Sequence, residues 1–302
     1  MYRYKRLMVP LGLRDEDETT IRYAAMISRM AKSQKIYFVH VARSFDLPED
    51  LSTEFPDLVE PVDEFAKTKI EKLVTKYFEG YQGSTLGYEI EEGYPLNEIL
   101  RLSKHKNIDL IIIGKKGGPM SGTLAEKVAR KAPCSTLIIP VGSVPKLTNI
   151  LVSVDFSENS LDAMDVAIAF ASASKGAGVH CLHVYNVPIG YYKTGKTYEE
   201  FGEIMKGYAK KHYQEFINRI DCNGISVKPI FRLEKKIPKA IEETIAHYQT
   251  NLLVMGARGR QAGAGVLLGS VTEKLIRTTA IPLVAVKKKG AGMSILDALL
   301  KL

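Results

Sequence analysis

The chain has few cysteines, no apolar run of membrane length and no histidine cluster, and each absence narrows what it can be. Its three cysteines, Cys134, Cys181 and Cys222, form no CxxC pair and no metal-ligand spacing. That excludes a disulfide framework or a zinc site of the usual kind and predicts reduced thiols, two of them buried in strands. No stretch approaches the ~20 apolar residues of a membrane span. The opening MYRYKRLMVPLGL has no signal-peptide core or cleavage site, so the expectation is a cytoplasmic protein without membrane insertion. The six histidines, His40, His105, His180, His183, His212 and His247, have no metal spacing, and no serine sits in a GxSxG elbow. No residue is therefore assigned a catalytic or metal-binding role.

Charge is likewise uninformative about a polyanionic partner. The net +8 is spread along the chain among 34 acids, and only KKKG at 287–290 forms a basic cluster. A solvated basic surface, not a nucleic-acid face, is the expected result.

What the chain does contain is a repeat. EKVAR at 126–130 returns as EKLIR at 273–277, IIIG at 111–114 as LVMG at 253–256, and HV at 40–41 again at 183–184. The offsets of 147, 142 and 143 residues mean that one unit is written twice. A length of 302 residues accommodates two such units of about 150 residues, each able to bury a core.

Each unit alternates strand and helix. Strands are predicted near 5–11, 35–42, 86–92, 108–113 and 135–141, with helices near 16–32, 58–80, 94–105 and 121–131. In the second unit strands fall near 148–154, 178–187, 225–232, 251–256 and 281–286, and helices near 158–174, 198–220, 237–249 and 270–278. Continuous apolar strands such as DLIIIG between helices imply a parallel sheet covered on both faces. The fold class is α/β: two tandem five-stranded parallel open sheets, Rossmann-like. Ligands of such sheets lie outside the carboxyl ends of the strands.

One stretch, NLLVMGARGRQAGAGVLLGSVTEKLIRTTAIPLVAV at 251–286, sits at that edge. Gly256 and Gly259 follow the strand, and after nine intervening residues Gly269-Ser270 opens a helix. Glycines let amides approach an anion closely, and a helix N-terminus supplies free donors and partial positive charge. The loop is read as a phosphate cradle for a nucleotide, with Arg258 and Arg260 able to touch phosphate.

The pattern G-x2-G-x9-G-[ST] after an apolar strand, followed by a helix and an IPLVAV strand, resembles the universal stress protein family, whose fold is adenine nucleotide α-hydrolase-like. The resemblance extends over nearly the whole chain, as residues 1–145, 146–288 and an apolar tail at 289–302. It implies that ATP, with or without Mg2+, is held by Val154, Asp155, Val184, Met255, Gly256, Arg258, Gly259, Gly269, Ser270, Val271 and Thr272. It implies further that 135–141 and 281–286 meet as the last strands of paired domains. The function it implies is an ATP-binding regulatory or adaptor protein in stress response. A nucleotide-independent adaptor and a slow ATPase, with Asp155 placing water or metal, are the alternatives.

The first unit departs from the pattern. Pro10 is taken to stand where the second has Asp155, and only four residues separate Gly117 from Gly122 in GKKGGPMSGT. It is expected to be a degenerate partner, with Lys115 and Lys116 as solvated lysines and attraction of a small anion by them as the alternative. GYYKTGKT at 190–197 satisfies the Walker A expression, but Tyr191, Tyr192 and Pro188 argue for a surface insertion. The tail GAGMSILDALLKL has a short apolar face, expected to dock on its own chain, on a second copy in a homo-oligomer, or on a client protein.

Overall fold

The computed structural model describes residues 4–42, 62–116, 123–174, 176–260 and 267–290. The tail, the span 117–122 with Gly117 and Gly122, and the centre of the glycine loop lie outside these residues. The first half runs β1 (Arg6–Leu11), α1 (Asp17–Ala31), β2 (Lys35–Ala42), α2 (Val62–Phe78), β3 (Thr85–Glu92), α3 (Pro95–His105), β4 (Leu110–Lys115), α4 (Thr123–Lys131) and β5 (Ser135–Pro140). The second repeats it: β6 (Asn149–Ser153), α5 (Glu158–Ala173), β7 (Gly178–Tyr185), α6 (Tyr198–Ile217), β8 (Val227–Leu233), α7 (Ile237–His247), β9 (Leu252–Gly256), α8 (Ser270–Thr278) and β10 (Leu283–Val286).

Local chemistry accounts for several of these boundaries. Pro95 and Pro238 sit in the first turns of α3 and α7, where a missing N–H does no harm. Thr197 and Glu200 form a reciprocal capping box that starts α6. Ser157 accepts from the Ser160 amide at 3.4 Å and caps α5.

The strands form one sheet in the order β3-β2-β1-β4-β5-β10-β9-β6-β7-β8. Every neighbouring pair is parallel except β5 with β10, which run antiparallel with Leu283 opposite Ile138 and Ala285 opposite Thr136. The two five-stranded sheets thus join edge to edge into ten strands, and the order in each half reverses between β1 and β4 and between β6 and β9.

Side chains alternate across the sheet as the pleat requires. Leu7, Val9 and Leu11 enter a core with α1, α2, α5 and α6, whereas Met8 enters a second core with α3, α4, α7 and α8. Both cores run across the junction. The Tyr4 and Phe170 rings meet at 6.2 Å, and Tyr23 Oη donates to Val144 O at 2.6 Å.

Two buried lysines bind the halves reciprocally. Lys115, at the end of β4, donates through Nζ to the carbonyls of Ile276, Arg277 and Thr279 at 2.8, 2.8 and 3.0 Å, closing the C-terminus of α8. Lys287, after β10, donates to the carbonyls of Arg130 and Ala132 at 2.8 and 2.9 Å, closing α4. Each cation therefore meets the negative pole of a helix from the other half. Burial pushes both ammoniums below the usual lysine range, Lys287 to about 8, which leaves it charged at neutral pH. Lys115 is 5% exposed, so the expectation of a solvated lysine is corrected. It is buried because orphan carbonyls at the end of α8 need a donor.

The repeated EKxxR segments add a ring of four charges. Arg130 reaches Glu273 at 2.6 Å and Arg277 reaches Glu126 at 3.5 Å, the two halves exchanging the same contact. These groups are partly exposed and contribute little individually. Lys115→Met, which removes a buried donor from three carbonyls, is expected to lower unfolding free energy by about 1–3 kcal/mol in a urea titration. Lys116→Met, at an exposed neighbour, should leave it within about 0.5 kcal/mol.

Candidate functional site

The carboxyl ends of β6 and β9 open on a cleft of about 710 Å³. All eleven residues assigned from the sequence line it: Val154 and Asp155 follow β6, Val184 ends β7, Met255 to Gly259 leave β9, and Gly269 to Thr272 begin α8. Sequence reasoning passed over Ser153, Ser160, Ile237 and Leu268, which also line the cleft. Ser160 had a weak signal, a serine in the first turn of a helix three residues after its cap.

The glycines are where a side chain would interfere. A Cβ on Gly256 would come within 3.0 Å of Asn159 O and 3.1 Å of Arg258 O, and one on Gly259 within 2.9 Å of Asp155 Oδ2. Gly269 is less crowded: its added carbon would meet Ala257 O and Gly259 N at 3.5 Å. Among the described residues no side chain caps α8, so its first-turn amides face the cleft edge without a partner from a cap. Ser270 is exposed there. The Thr272 hydroxyl instead donates to Gly256 O at 3.0 Å and ties α8 to β9.

Asp155 is held by the protein itself. Its Oδ1 accepts from Ser157 N at 3.1 Å and Ser160 Oγ at 2.7 Å, and its Oδ2 accepts from Arg260 N at 2.5 Å. Burial acts to raise its pKa, but the hydrogen bonds from Ser157, Ser160 and Arg260 outweigh it and bring the carboxyl below the usual range. The carboxylate thus latches the start of the glycine loop onto the end of β6. The other acid in the cleft, Glu273, pairs with Arg130 and with Arg277 at 3.3 Å.

His183 is a half-buried strand residue, as its position in β7 suggests. Its Nδ1–H donates to Val154 O at 3.0 Å, and its ring stacks on Phe156 at 4.2 Å. Burial pushes its pKa down, consistent with a neutral ring. His40 makes the same bond to Leu11 O at 3.0 Å. This equivalence corrects the alignment of the two halves. Pro10 pairs with Val39 and Ser153 with Leu182, so Pro10 corresponds to Ser153, and the residue standing for Asp155 is Gly12. The carboxylate is still missing from the first half, two residues from where it was sought. A bulky residue with positive φ follows in each copy, Leu13 at 58° and Phe156 at 62°.

The first half has its own cleft of about 620 Å³ at the ends of β1 and β4. The Walker-like segment forms a short turn instead of a loop running directly from a strand into a helix. Gly190 and Gly195 bracket a 3-10 turn over Tyr191–Thr194, and Thr197 is engaged in the α6 cap. Tyr191 packs on Tyr192, Tyr198 and Phe201, leaving Lys196 exposed.

A doubly wound sheet with paired crevices is the class of protein that fold and site define. The sequence profile of the Universal stress protein family matches residues 3–140 and again 146–287, and the chain belongs to that family. It is 28% identical over 144 residues to Universal stress protein MJ0531 of Methanocaldococcus jannaschii, covering 45% of this chain and 82% of that protein. It is 28% identical over 160 residues to Universal stress protein MJ0577 of the same organism, covering 47% and 96%. A universal stress protein from Archaeoglobus fulgidus shares the fold across 94% of this chain and 96% of its own, with a TM-score of 0.63 at 19% identity. Among the described residues no helix is long and apolar enough to cross a membrane.

The Asp155 latch has a pH signature. Because its folded pKa is depressed, its stabilisation is present above the unfolded value of about 3.9 and is lost as pH falls through the folded value. Asp155→Asn should therefore be less stable than the parent by about 1–2 kcal/mol at pH 7. The gap should hold at pH 5, begin to narrow near pH 4 and keep narrowing in denaturation curves taken at lower pH.

Proposed function

We propose that the second half binds ATP, with or without Mg2+, and that the protein acts as a nucleotide-responsive regulatory or adaptor protein in stress response. The observation that carries this reading is the uncapped N-terminus of α8 facing Asp155 across one cleft, with Gly256, Gly259 and Gly269 keeping side chains out of the path between them. Amides at Ser270, Val271 and Thr272 suit a polyphosphate, and Arg258 and Arg260 supply further positive charge. Asp155 suits hydroxyl donors of a ribose. An entering nucleotide exchanges its own hydroxyls for the Arg260 amide on Oδ2, so occupancy releases the loop from β6 and changes the surface it presents.

Val184 and Met255 provide an apolar wall suited to a base. Neither cleft carboxylate is free to activate water among the described residues, which supports a binder over an enzyme; hydrolysis, if any, is slow. The closed state of Asp155 equally favours an adaptor that works without nucleotide, and binding measurements separate the two. Residues 1–145 and 146–288 are proposed as the folding units, the β5–β10 junction doing within one chain what two copies would do together. The tail from 289 is proposed to dock on its own chain, on a second copy or on a client.

Gly269→Val fills the cleft from a position where the added carbon has ordinary contacts, so the fold should persist. By isothermal titration calorimetry it is expected to bind ATP at least about tenfold more weakly than the parent. Lys196→Ala should bind as the parent does. Absence of ATP binding by the parent at saturating concentration overturns the proposal and leaves the adaptor; loss of binding in Lys196→Ala moves the site to the 190–197 segment.

A further inference from the structure

We infer that the first cleft is a separate binding site for a small organic anion with an apolar body. It has the size of a site for a drug-sized molecule and sits at the same reversal of strand order as the second cleft. Its floor is apolar, formed by Val39, Ile99, Ile113 and Ile139.

Its charge is inverted where the two clefts correspond. The second half places the Asp155 carboxylate after its first strand. The first half has Gly12 there, and a Cβ at Gly12 would lie 3.6 Å from Cδ and Nε of Arg14. The Arg14 side chain thus covers the position that an acid holds in the other copy. Among the described residues Arg14 has no acidic side chain within ion-pair distance, and Lys116 adds a second exposed cation to the lining.

Two acids also line this cleft, Glu16 and Asp17, and among the described residues neither forms an ion pair with Arg14 or Lys116. Asp17 corresponds to Ser160, and its Oδ2 accepts from the Arg14 amide at 3.0 Å. Burial raises the Asp17 pKa, opposed by backbone hydrogen bonds from Arg14, Gly12 and Leu13, so its carboxylate is committed to the turn that starts α1. Glu16 lies alongside, half-exposed to water. Lys115 also borders the cleft, but its ammonium is turned into α8. The remaining arrangement is an apolar floor beneath a rim on which Arg14 and Lys116 are cations without an acidic partner among the described residues. An inorganic ion would leave the floor wetted, and a neutral apolar molecule would leave Arg14 unanswered. An anionic head on Arg14 and Lys116, with its body on the isoleucines, satisfies both.

The probe is 8-anilinonaphthalene-1-sulfonate, an aromatic sulfonate whose fluorescence rises on leaving water, titrated onto the full chain. One saturable site is expected. Gly12→Asp restores the acid of the other copy at a position with room for a Cβ, and Arg14→Glu reverses the rim. Each should weaken the probe by about fivefold or more. Equal melting temperatures establish that both variants are folded. Gly269→Val should leave probe affinity unchanged, and saturating ATP should not displace it. Unchanged affinity in both first-cleft variants, displacement by ATP, or no saturable site overturns the inference. These readouts do not depend on whether the second cleft binds nucleotide.

Discussion

Two strands with one bare edge each hold this molecule together. β5 and β10 close their respective five-stranded sheets, and either alone would present unpaired amides and carbonyls to solvent. Paired antiparallel, they remove both edges at once and let the two apolar cores run through the junction. The reciprocal lysines then fix the helices beside the seam. Lys115 answers carbonyls of α8 and Lys287 answers carbonyls of α4, so neither half completes its last helix without the other. Burial of apolar surface and these satisfied carbonyls outweigh the exposed ring of Glu126, Arg130, Glu273 and Arg277, which contributes orientation more than energy.

The duplication has kept its backbone and changed its charges. His40 and His183 bond the same carbonyl in each copy, and Leu13 and Phe156 take the same left-handed turn beyond the first strand. Such a turn in a bulky residue is unfavourable, and it persists in both copies because the strand ends are held by the sheet below. On this common frame Asp155 and Ser160 in one half become Gly12 and Asp17 in the other. One cleft keeps a carboxylate latched to a glycine loop; the other has an arginine lying over the same place.

Much of this was legible in the residues. Apolar runs such as IIIG and LVMG marked β4 and β9, and the recurrence of EKxxR marked the duplication. The spacing from Gly256 to Ser270 located α8 to the residue. Strand pairing was readable only through the resemblance, because periodicity does not say which edges meet. Three things were hidden. Pro10 looked like the counterpart of Asp155 because the strands share little beyond a valine, Val9 with Val152, and only the ladder register and the histidine bonds align Gly12 instead. Lys115 reads as a surface lysine beside Lys116, since nothing local reveals that another half's helix end lies above it. The carboxylate of Asp155 reads as free for a ligand, whereas Arg260, 105 residues later, already donates to it.

The helix α8 touches both halves in different ways. Its nine residues span about 13 Å, from amides at the second cleft to carbonyls covered by the Lys115 ammonium. A free helix offers an approaching anion attraction at one end partly cancelled by repulsion from the other. Here the repelling end is neutralised by a buried cation, so the field that reaches the second cleft is one-signed. The amino-terminal copy therefore lends positive potential to a crevice that none of its described residues lines.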